Sequence, residues 1–374
     1  MRIALVVNNF PPRVGGLETH LHNLGRHLRL EGHEVLVLTL TDGSDLDFDD
    51  DLDVARFREF LKIGDVLGFP VPGTARRITR MLAQWKPDVI SVHTRFFPMT
   101  WLGLRIARRL RVPLIHTEHG SGHVVSDSPM IRWGSRIVDL TMGRAVLRGA
   151  TRVLGVSDRV VDFVEELSGR KAEVFYNALE PTTDSAMAQE PQADADRLKL
   201  VFVGRLVPGK GVGVFVEVVA ELRRRHVELS AVVLGDGPER PRLEQALMDA
   251  NLTDRVNVRG RVGSDQVRHE LRGAILVNPS TLAEGFGMTL LEALDAGGRA
   301  VTYDVPGGEL LASQGHPIVV VHEQNAAALA SAVLHLANET DRLSPALTGW
   351  YWPERALEYS QICADAASTD PERA

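Results

Sequence analysis

One cysteine, Cys363, stands in a chain of 374 residues. It cannot close an intrachain disulfide, and no Cys or His set at metal-ligating spacing lies near it, so a disulfide framework and a thiolate metal site are both excluded. Long apolar runs are missing too. None approaches the roughly 18 to 20 residues that span a bilayer, and Arg2 to Val7 enters a strand pattern with no signal-peptide layout. A cytoplasmic protein is the expectation. There is no short tandem repeat or low-complexity tract, and the first glycine loop lacks the full G-x-G-x-x-G spacing, which disfavours a dinucleotide cofactor. Wholesale disorder is also disfavoured, because 44% of the residues are apolar and 24% charged, ordinary values for a soluble globular protein.

What is present is a rhythm. Short β-branched runs alternate with amphipathic helical stretches, the pattern that builds a parallel sheet covered on both faces. In the first half, strands are predicted at Arg2–Val7, Glu34–Leu40, Asp88–His93, Pro113–Thr117, Arg152–Val156 and Glu173–Tyr176. Between the first two, Leu17, Leu21, Leu24 and Leu28 recur at helical spacing until Gly32 breaks the pattern. A polar, proline-bearing stretch then reads as a linker over 179–198. The alternation restarts with strands at Lys199–Val203, Ser230–Leu234, Val256–Arg259, Ala274–Val277 and Arg299–Tyr303, and closes with helices at Ala326–Ala337 and Pro353–Ala366. A chain this long exceeds one ordinary core, so two α/β domains are expected, over 1–178 and 199–351, with a last helix at about 352–374.

The net charge of −7 is unevenly spread. Asp42 to Asp53 holds seven aspartates; the stretch from Arg95 to Arg152 holds ten arginines against Glu118, Asp127 and Asp139. The D-x-D patterns within Asp47–Asp53 read as a solvated loop rather than a metal site, since no hydrophobic strand leads into them. The arginine-rich stretch includes Trp101–Leu110 and Ile131–Arg148, both able to form basic amphipathic helices.

Chemistry concentrates in four loops. Val203-Gly-Arg-Leu-Val-Pro-Gly-Lys-Gly211 follows a strand and opens a helix. Glycines there let the backbone approach a ligand, the helix start favours an anion, and Arg205 and Lys210 add positive charge, a combination suited to a diphosphate. In Asn278-Pro-Ser-Thr-Leu-Ala-Glu-Gly-Phe-Gly-Met-Thr-Leu-Leu-Glu-Ala293, Glu284 lies in the loop and Glu292 about one and a half turns into a helix starting near Phe286. Both carboxylates can face one region, accepting hydrogen bonds from sugar or ribose hydroxyls, while the amides of Phe286, Gly287 and Met288 are offered to phosphate or sugar oxygens. Gly15 and Gly16 follow the first strand, and either a close-approaching phosphate or a simple loop accounts for them. His116-Thr-Glu-His-Gly120 ends a central strand, where open α/β sheets place their ligands; His93 ends another. Each of these histidines fits a hydrogen bond to a sugar or a structural role.

Taken together these residues resemble the large family 4 retaining glycosyltransferases of GT-B fold. The resemblance runs through the Gly15-Gly16 loop, Gly32-His-Glu-Val35, His119, Val156-Ser157, Asn177, Gly204-Arg-Leu with Lys210-Gly211, Gly235-Asp-Gly237, Pro279-Ser280, and Glu284 with seven residues before Glu292. It implies two Rossmann-like domains with parallel sheets facing an interdomain cleft, the first binding the acceptor and the second the nucleotide sugar. The implied catalytic set is His119, Arg205, Lys210 and Glu284. Donor binding is implied for Gly16, Gly204, Arg205, Lys210, Gly235, Gly237, Glu284, Gly285, Phe286, Gly287, Met288, Thr289 and Glu292, with the cations on the diphosphate and Glu292 on the ribose. Acceptor contacts are implied for Gly15, His93, Arg95 and His119. The family's reaction retains anomeric configuration by a front-face displacement and generally uses no metal, so no cofactor is expected beyond the nucleotide-diphosphate sugar, whether UDP- or GDP-linked. A glycan, a lipid-linked molecule or a small molecule could each accept; no nucleic acid partner is expected. Peripheral contact of the basic helices with an anionic inner membrane face and ordinary solvated arginines remain equal alternatives. A sugar-nucleotide epimerase and a non-catalytic nucleotide-sugar sensor share the same architecture.

Two positions depart from the family pattern. Gly285 replaces a frequent proline, and Gly297-Gly-Arg-Ala-Val301 puts Arg299 where proline is usual, either at a strand entry or reaching the donor region. Trp350-Tyr-Trp-Pro353 resembles the family's closing segment, which crosses back to the first domain and lets the cleft close and exclude water.

Overall fold

The computed structural model describes residues 1–13, 15–43, 51–63, 67–124, 128–181, 198–339 and 344–368. Most of the aspartate run and most of the expected linker lie outside the described residues. The chain divides into one unit of Met1–Glu180 with Gly349–Ala374, and another of Pro181–Thr348.

In the first unit the chain runs β1 (Arg2–Val6), α1 (Gly16–Leu30), β2 (Glu34–Thr41), β3 (Asp53–Ile63), β4 (Leu67–Pro70), α2 (Thr74–Trp85), β5 (Val89–His93), α3 (Pro98–Leu110), β6 (Leu114–Glu118), α4 (Pro129–Val138), a π-helical turn at Asp139–Gly143, α5 (Arg144–Gly149), β7 (Arg152–Gly155), α6 (Asp158–Ser168) and β8 (Glu173–Val174). The sheet order is β4-β3-β2-β1-β5-β6-β7-β8. Ile3 of β1 pairs with Val35 on one side and Val89 on the other. These central strands are covered on both faces, which is why they read as continuous apolar runs instead of alternating ones. On one face lies a core containing Leu82, Leu104, Ile106, Leu147 and Val160; on the other, the predicted leucine stripe of α1 packs Leu21, Leu24 and Leu28 with Phe175. Gly32, at φ +84°, turns the chain out of α1, and the His33 amide returns to the Leu28 carbonyl.

Two strands of this unit escaped the sequence reading, as did Ile318–Val321 of the second. β3 runs parallel to β2, and β4 pairs antiparallel to β3, so the sheet is not wholly parallel. In β3, Arg56, Arg58, Glu59 and Lys62 interrupt the apolar pattern, and Phe60 and Leu61 are exposed, so neither a buried run nor a clean alternation marks it.

The second unit contains β9 (Leu198–Val203), α7 (Val212–Arg224), β10 (Leu229–Leu234), α8 (Arg240–Asp249), β11 (Val256–Gly260), α9 (Ser264–Leu271), β12 (Ile275–Asn278), α10 (Met288–Asp295), β13 (Arg299–Tyr303), α11 (Gly308–Ser313), β14 (Ile318–Val321) and α12 (Ala326–Asn338). Its sheet is parallel, in the order β11-β10-β9-β12-β13-β14. Phe202, Phe215, Val219, Val233, Val301 and Val333 share its core. Arg299 resolves the sequence ambiguity: at the first position of β13 it donates to the Leu336 carbonyl at 2.6 Å, in the last turn of α12. It therefore satisfies a helix end, at the edge of the sheet opposite the carboxyl ends of the strands.

The final helix, α13 (Trp352–Ser368), belongs to the first unit. Leu179 and the segment before α13 exchange main-chain bonds, Leu179 N to Trp350 O at 2.9 Å and Trp352 N to Leu179 O at 3.0 Å. Trp352, Tyr359 and Cys363 are buried against α1 and the sheet. Cys363 is thus a structural thiol, its pKa pushed up to about 12 by burial.

Candidate active site

Both sheets reverse their winding between two neighbouring strands. In the second unit the reversal falls between β9 and β12, and in the first between β1 and β5. At such a switch point the loops leaving the two strands diverge and open a crevice at their carboxyl ends.

In the second unit the two loops are locked together by glycine. A Cβ on Gly211 would stand 2.3 Å from the Pro279 carbonyl oxygen, and one on Gly209 2.5 Å from Leu282 Cδ2. With no side chain in the way, the Thr281 amide donates to Gly209 O at 2.8 Å. That contact carries Lys210 to Glu284: Nζ donates to Oε1 at 2.9 Å, with about a fifth of each side chain exposed. The Ser280 hydroxyl donates to the same carboxylate oxygen. Arg205 is exposed one residue beyond Gly204.

The β10 loop closes over the β9 loop through main chain alone. Gly204 N donates to Leu234 O and Leu206 N to Asp236 O, both at 3.0 Å. A Cβ at Gly235 would lie 1.8 Å from Gly204 O, and at Gly237 2.4 Å from Leu206 O. Gly235 and Gly237 hold positive φ and are needed to bring these backbones together.

Behind the loop, Phe286 is buried against Gly307, where a Cβ would meet its ring at 2.5 Å. Gly287 N donates to Pro306 O and Met288 N to Phe286 O, both at 2.9 Å. Glu292 lies one turn inside α10, half-buried, and desolvation raises its pKa from 4.5 to about 7, against the nearby Arg268 guanidinium.

In the first unit, three imidazoles from distant parts of the sequence converge at the switch point. His93 ends β5, His119 follows β6, and His20 comes from α1. His93 Nδ1 lies 3.1 Å from His119 Nε2, one ring N–H donating to the other's lone pair. The His20 ring stands edge-on to His119 at 4.6 Å between centroids and to Trp352 at 5.0 Å. The far nitrogen of His93 bonds Ser91 Oγ at 3.0 Å, which bonds Tyr359 Oη at 2.6 Å. Burial strips water from these rings and lowers their pKa, His20 to about 4 and the other two well below 6.5, so all three are neutral near pH 7.

Beneath them sits a buried ion network. Arg95 donates from Nε and Nη2 to Asp139 at 2.9 and 3.1 Å, pairs with Glu118 at 3.1 Å, and lies 4.6 Å from the centroid of the Phe163 ring. The Arg95 guanidinium holds the Glu118 pKa down at about 2 despite full burial. Glu118 Oε1 accepts the amides of His119 and Gly120, each at 3.1 Å, and so fixes the turn that presents His119.

Comparison with known proteins agrees with this geometry. Residues 14–183 match the family described as Glycosyltransferase Family 4, and residues 197–339 match Glycosyl transferases group 1. The chain is a family 4 glycosyltransferase. It is 29% identical to one of the subunits of phosphatidylinositol N-acetylglucosaminyltransferase from Arabidopsis thaliana, over 82% of this chain and 68% of that one. It is 27% identical to the alpha-monoglucosyldiacylglycerol synthase of Acholeplasma laidlawii, over 79% and 78%. Among solved structures it has the GT-B fold of Anabaena HepE, crystallised in complex with UDP, at a TM-score of 0.71, 19% identity, and coverage of 100% and 99%.

Within this glycosyltransferase, the sequence-predicted residues fall into distinct groups. Arg205, Lys210, Glu284, Gly285, Thr289 and Glu292 sit on the two switch-point loops of the second unit or in the first turns of α10. Gly16 opens α1, and space beside its Cα is open, whereas a Cβ on Gly15 meets only the far end of the Glu18 side chain. Three expectations need correction. The Gly287 and Met288 amides are consumed by main-chain carbonyls and are not offered to a ligand; of that segment, the Gly285 and Thr289 amides have no protein acceptor among the described residues. Arg95, expected at the acceptor, has 1% of its side chain exposed and is spent on Glu118 and Asp139, so it braces the His119 turn from below. Glu292 stands one turn into α10, not one and a half, because the helix starts at Met288. The sequence reading also passed over His20 and Glu118, which touch or hold His119.

Proposed function

We propose that this glycosyltransferase takes its sugar from a nucleoside-diphosphate donor held by the second unit, and transfers it with retained anomeric configuration. The supporting observation is the glycine-locked pair of loops that sets Lys210, Glu284, Arg205 and the start of α10 at one switch point. A leaving diphosphate gains negative charge as the glycosidic bond breaks, while the sugar becomes cation-like. Fixed cations beside the phosphates therefore stabilise the transition state more than the bound ground state. Arg205 and Lys210 supply that charge, and Glu284 orients Lys210 and accepts from the sugar hydroxyls. Glu292 takes the ribose hydroxyls. His119 of the first unit, neutral and held by Glu118, offers a hydrogen bond to the transferred sugar. Uridine nucleotides are the first probe, given the UDP held by HepE. Measuring nucleoside diphosphate release with Arg205→Ala and Lys210→Ala tests the assignment; near-normal transfer by both would overturn it.

The acceptor reading rests on a different surface. α4 has no buried residue: Met130 and Trp133 are 81% and 72% exposed, and Ile137 and Leu140 continue the same stripe. Arg76 and Arg80 of α2 face Arg105 and Arg109 of α3 across a groove in the same unit. An exposed apolar stripe and clustered arginines within one unit suit the interface of an anionic bilayer, and the names of two relatives contain a lipid. No helix among the described residues is long and apolar enough to cross a membrane. The acceptor is thus proposed to be a lipid-linked molecule met at a membrane surface. Cosedimentation with anionic vesicles, weakened by salt and lost in Trp133→Ser with Ile137→Ser, checks it; protein that stays in the supernatant at low salt refutes it.

A further inference from the structure

The three switch-point histidines do more than place His119. One ring nitrogen from each of His20, His93 and His119 lies within 4.8 Å of one from each of the others. Three imidazoles around a tetrahedral zinc ion, bound at about 2.0 to 2.1 Å, have their nitrogens roughly 3.3 Å apart. The His93 and His119 pair, at 3.1 Å, is already at that spacing, and His20 is the ring that must close in.

His20 has no other use for its nitrogens. It is 5% exposed, and neither Nδ1 nor Nε2 has a hydrogen-bond partner. The Asn177 side chain, nearby, favours a proton on the ring, yet its own Oδ1 is equally unpaired, so the two do not satisfy each other. A buried polar atom left without a partner opposes folding, and a bound cation would satisfy one of the two ring nitrogens. His93 is oriented as metal-ligating histidines are: the nitrogen away from the cluster is held by Ser91 Oγ, itself held by Tyr359. His119 is only partly buried, which leaves a side open for entry and for a fourth ligand. Imidazole ligands select zinc, cobalt, nickel or copper over magnesium or calcium.

We propose that His20, His93 and His119 form a three-histidine site for a divalent transition-metal ion of the zinc class. The sequence reading expected no metal, and spacings of 73 and 26 residues between these histidines carry no ligand signature. The site is inhibitory if the His119 nitrogen that faces the metal is also the one that serves the sugar, since a single ring nitrogen cannot do both; this part rests on the function proposed above.

Untagged full-length protein, stripped with chelator, is titrated with Co²⁺ and with Zn²⁺. The expected result is uptake of one equivalent, with the visible absorption bands of tetrahedral Co²⁺ and X-ray absorption fitting three imidazole nitrogens. His20→Gln and His93→Gln abolish the stoichiometric uptake, Ser91→Ala weakens it about 10- to 100-fold, and changing the exposed His322 and His335 to Ala leaves it unaltered. Substoichiometric binding by the wild type, fewer than three imidazoles in its absorption spectrum, or uptake indifferent to His20→Gln overturns the proposal; the wild-type spectrum decides even if a variant misfolds. Zn²⁺ should also slow sugar transfer reversibly. Metal binding without inhibition upholds the site and removes that His119 nitrogen from the sugar contact.

Discussion

Substituting Lys210 by alanine tests the donor site most directly, because the structure separates its two contributions. The first is the ion pair with Glu284. Both side chains are about a fifth exposed, and Ser280 continues to donate to the carboxylate after the lysine is gone. The loss of fold stability should therefore be close to that of an ordinary partly screened pair, about 1 kcal/mol or less. The second is the interaction with a donor diphosphate. A unit charge on a phosphate about 4 Å from Nζ, at an effective dielectric constant of about 20, interacts by about 4 kcal/mol. Allowing for desolvation and for the charge shared with Glu284, a loss of about 2 to 4 kcal/mol is expected, a fall of roughly 30- to 1,000-fold. Calorimetric titration of a nucleoside diphosphate, chosen by thermal shift across a nucleotide panel, reads the binding part, and product release reads the catalytic part. Lys210→Arg should recover binding partly. If Lys210→Ala binds the diphosphate within about threefold of wild type while its melting temperature drops substantially, the lysine is a structural strut and the donor assignment is wrong.

Glu292 predicts a pH dependence. With its pKa raised to about 7, the ionised form that the proposed ribose contact needs dominates only above that value, so nucleotide affinity should climb between about pH 6 and pH 8. Ionising a desolvated carboxyl opposes folding as pH rises through its raised pKa, so Glu292→Gln should melt higher than wild type at about pH 8 while binding nucleotide more weakly and without the pH slope; parallel melting and binding curves check both. Gly235→Ala places a methyl 1.8 Å from Gly204 O at a positive φ, which should cost about 2 to 4 kcal/mol and lower the melting of the second unit by roughly 5 to 15 °C in calorimetry. Glu118→Gln leaves Arg95 buried with Asp139 as its remaining carboxylate partner and should cost about 3 to 5 kcal/mol near neutral pH. Because the Glu118 pKa falls from 4.5 to about 2 on folding, its contribution is complete above about pH 4.5 and fades as pH falls towards 2; denaturant titrations across that window should show a shallower slope in the variant.

How much of this was legible depended on whether the signal was local. Centrally buried parallel strands such as β1 and β5 announce themselves as apolar runs, and the donor loops carry their glycines, cations and carboxylates within short segments that need only two strands to meet. β3 was hidden because it alternates charged and apolar residues irregularly beside an acidic stretch. Arg95 was misread because its partners, Glu118 and Asp139, lie 23 and 44 residues away. His20 was passed over for the same reason: what buries it is Trp352, from the far end of the chain. The claim on the Gly287 and Met288 amides failed because carbonyls at Pro306 and Phe286 reach them first, which no helix-start pattern shows.

The return of α13 to the first unit has a consequence for how the protein is made. Trp352, Tyr359, Ile362 and Cys363 fill one face of the sheet formed by residues 1–180, yet they leave the ribosome after the whole second unit. During synthesis the first sheet must wait with α1 half covered and Ser91 lacking its tyrosine, while the later unit, contiguous in sequence, is free to finish first. The first unit can therefore complete its core only after the last helix has been made.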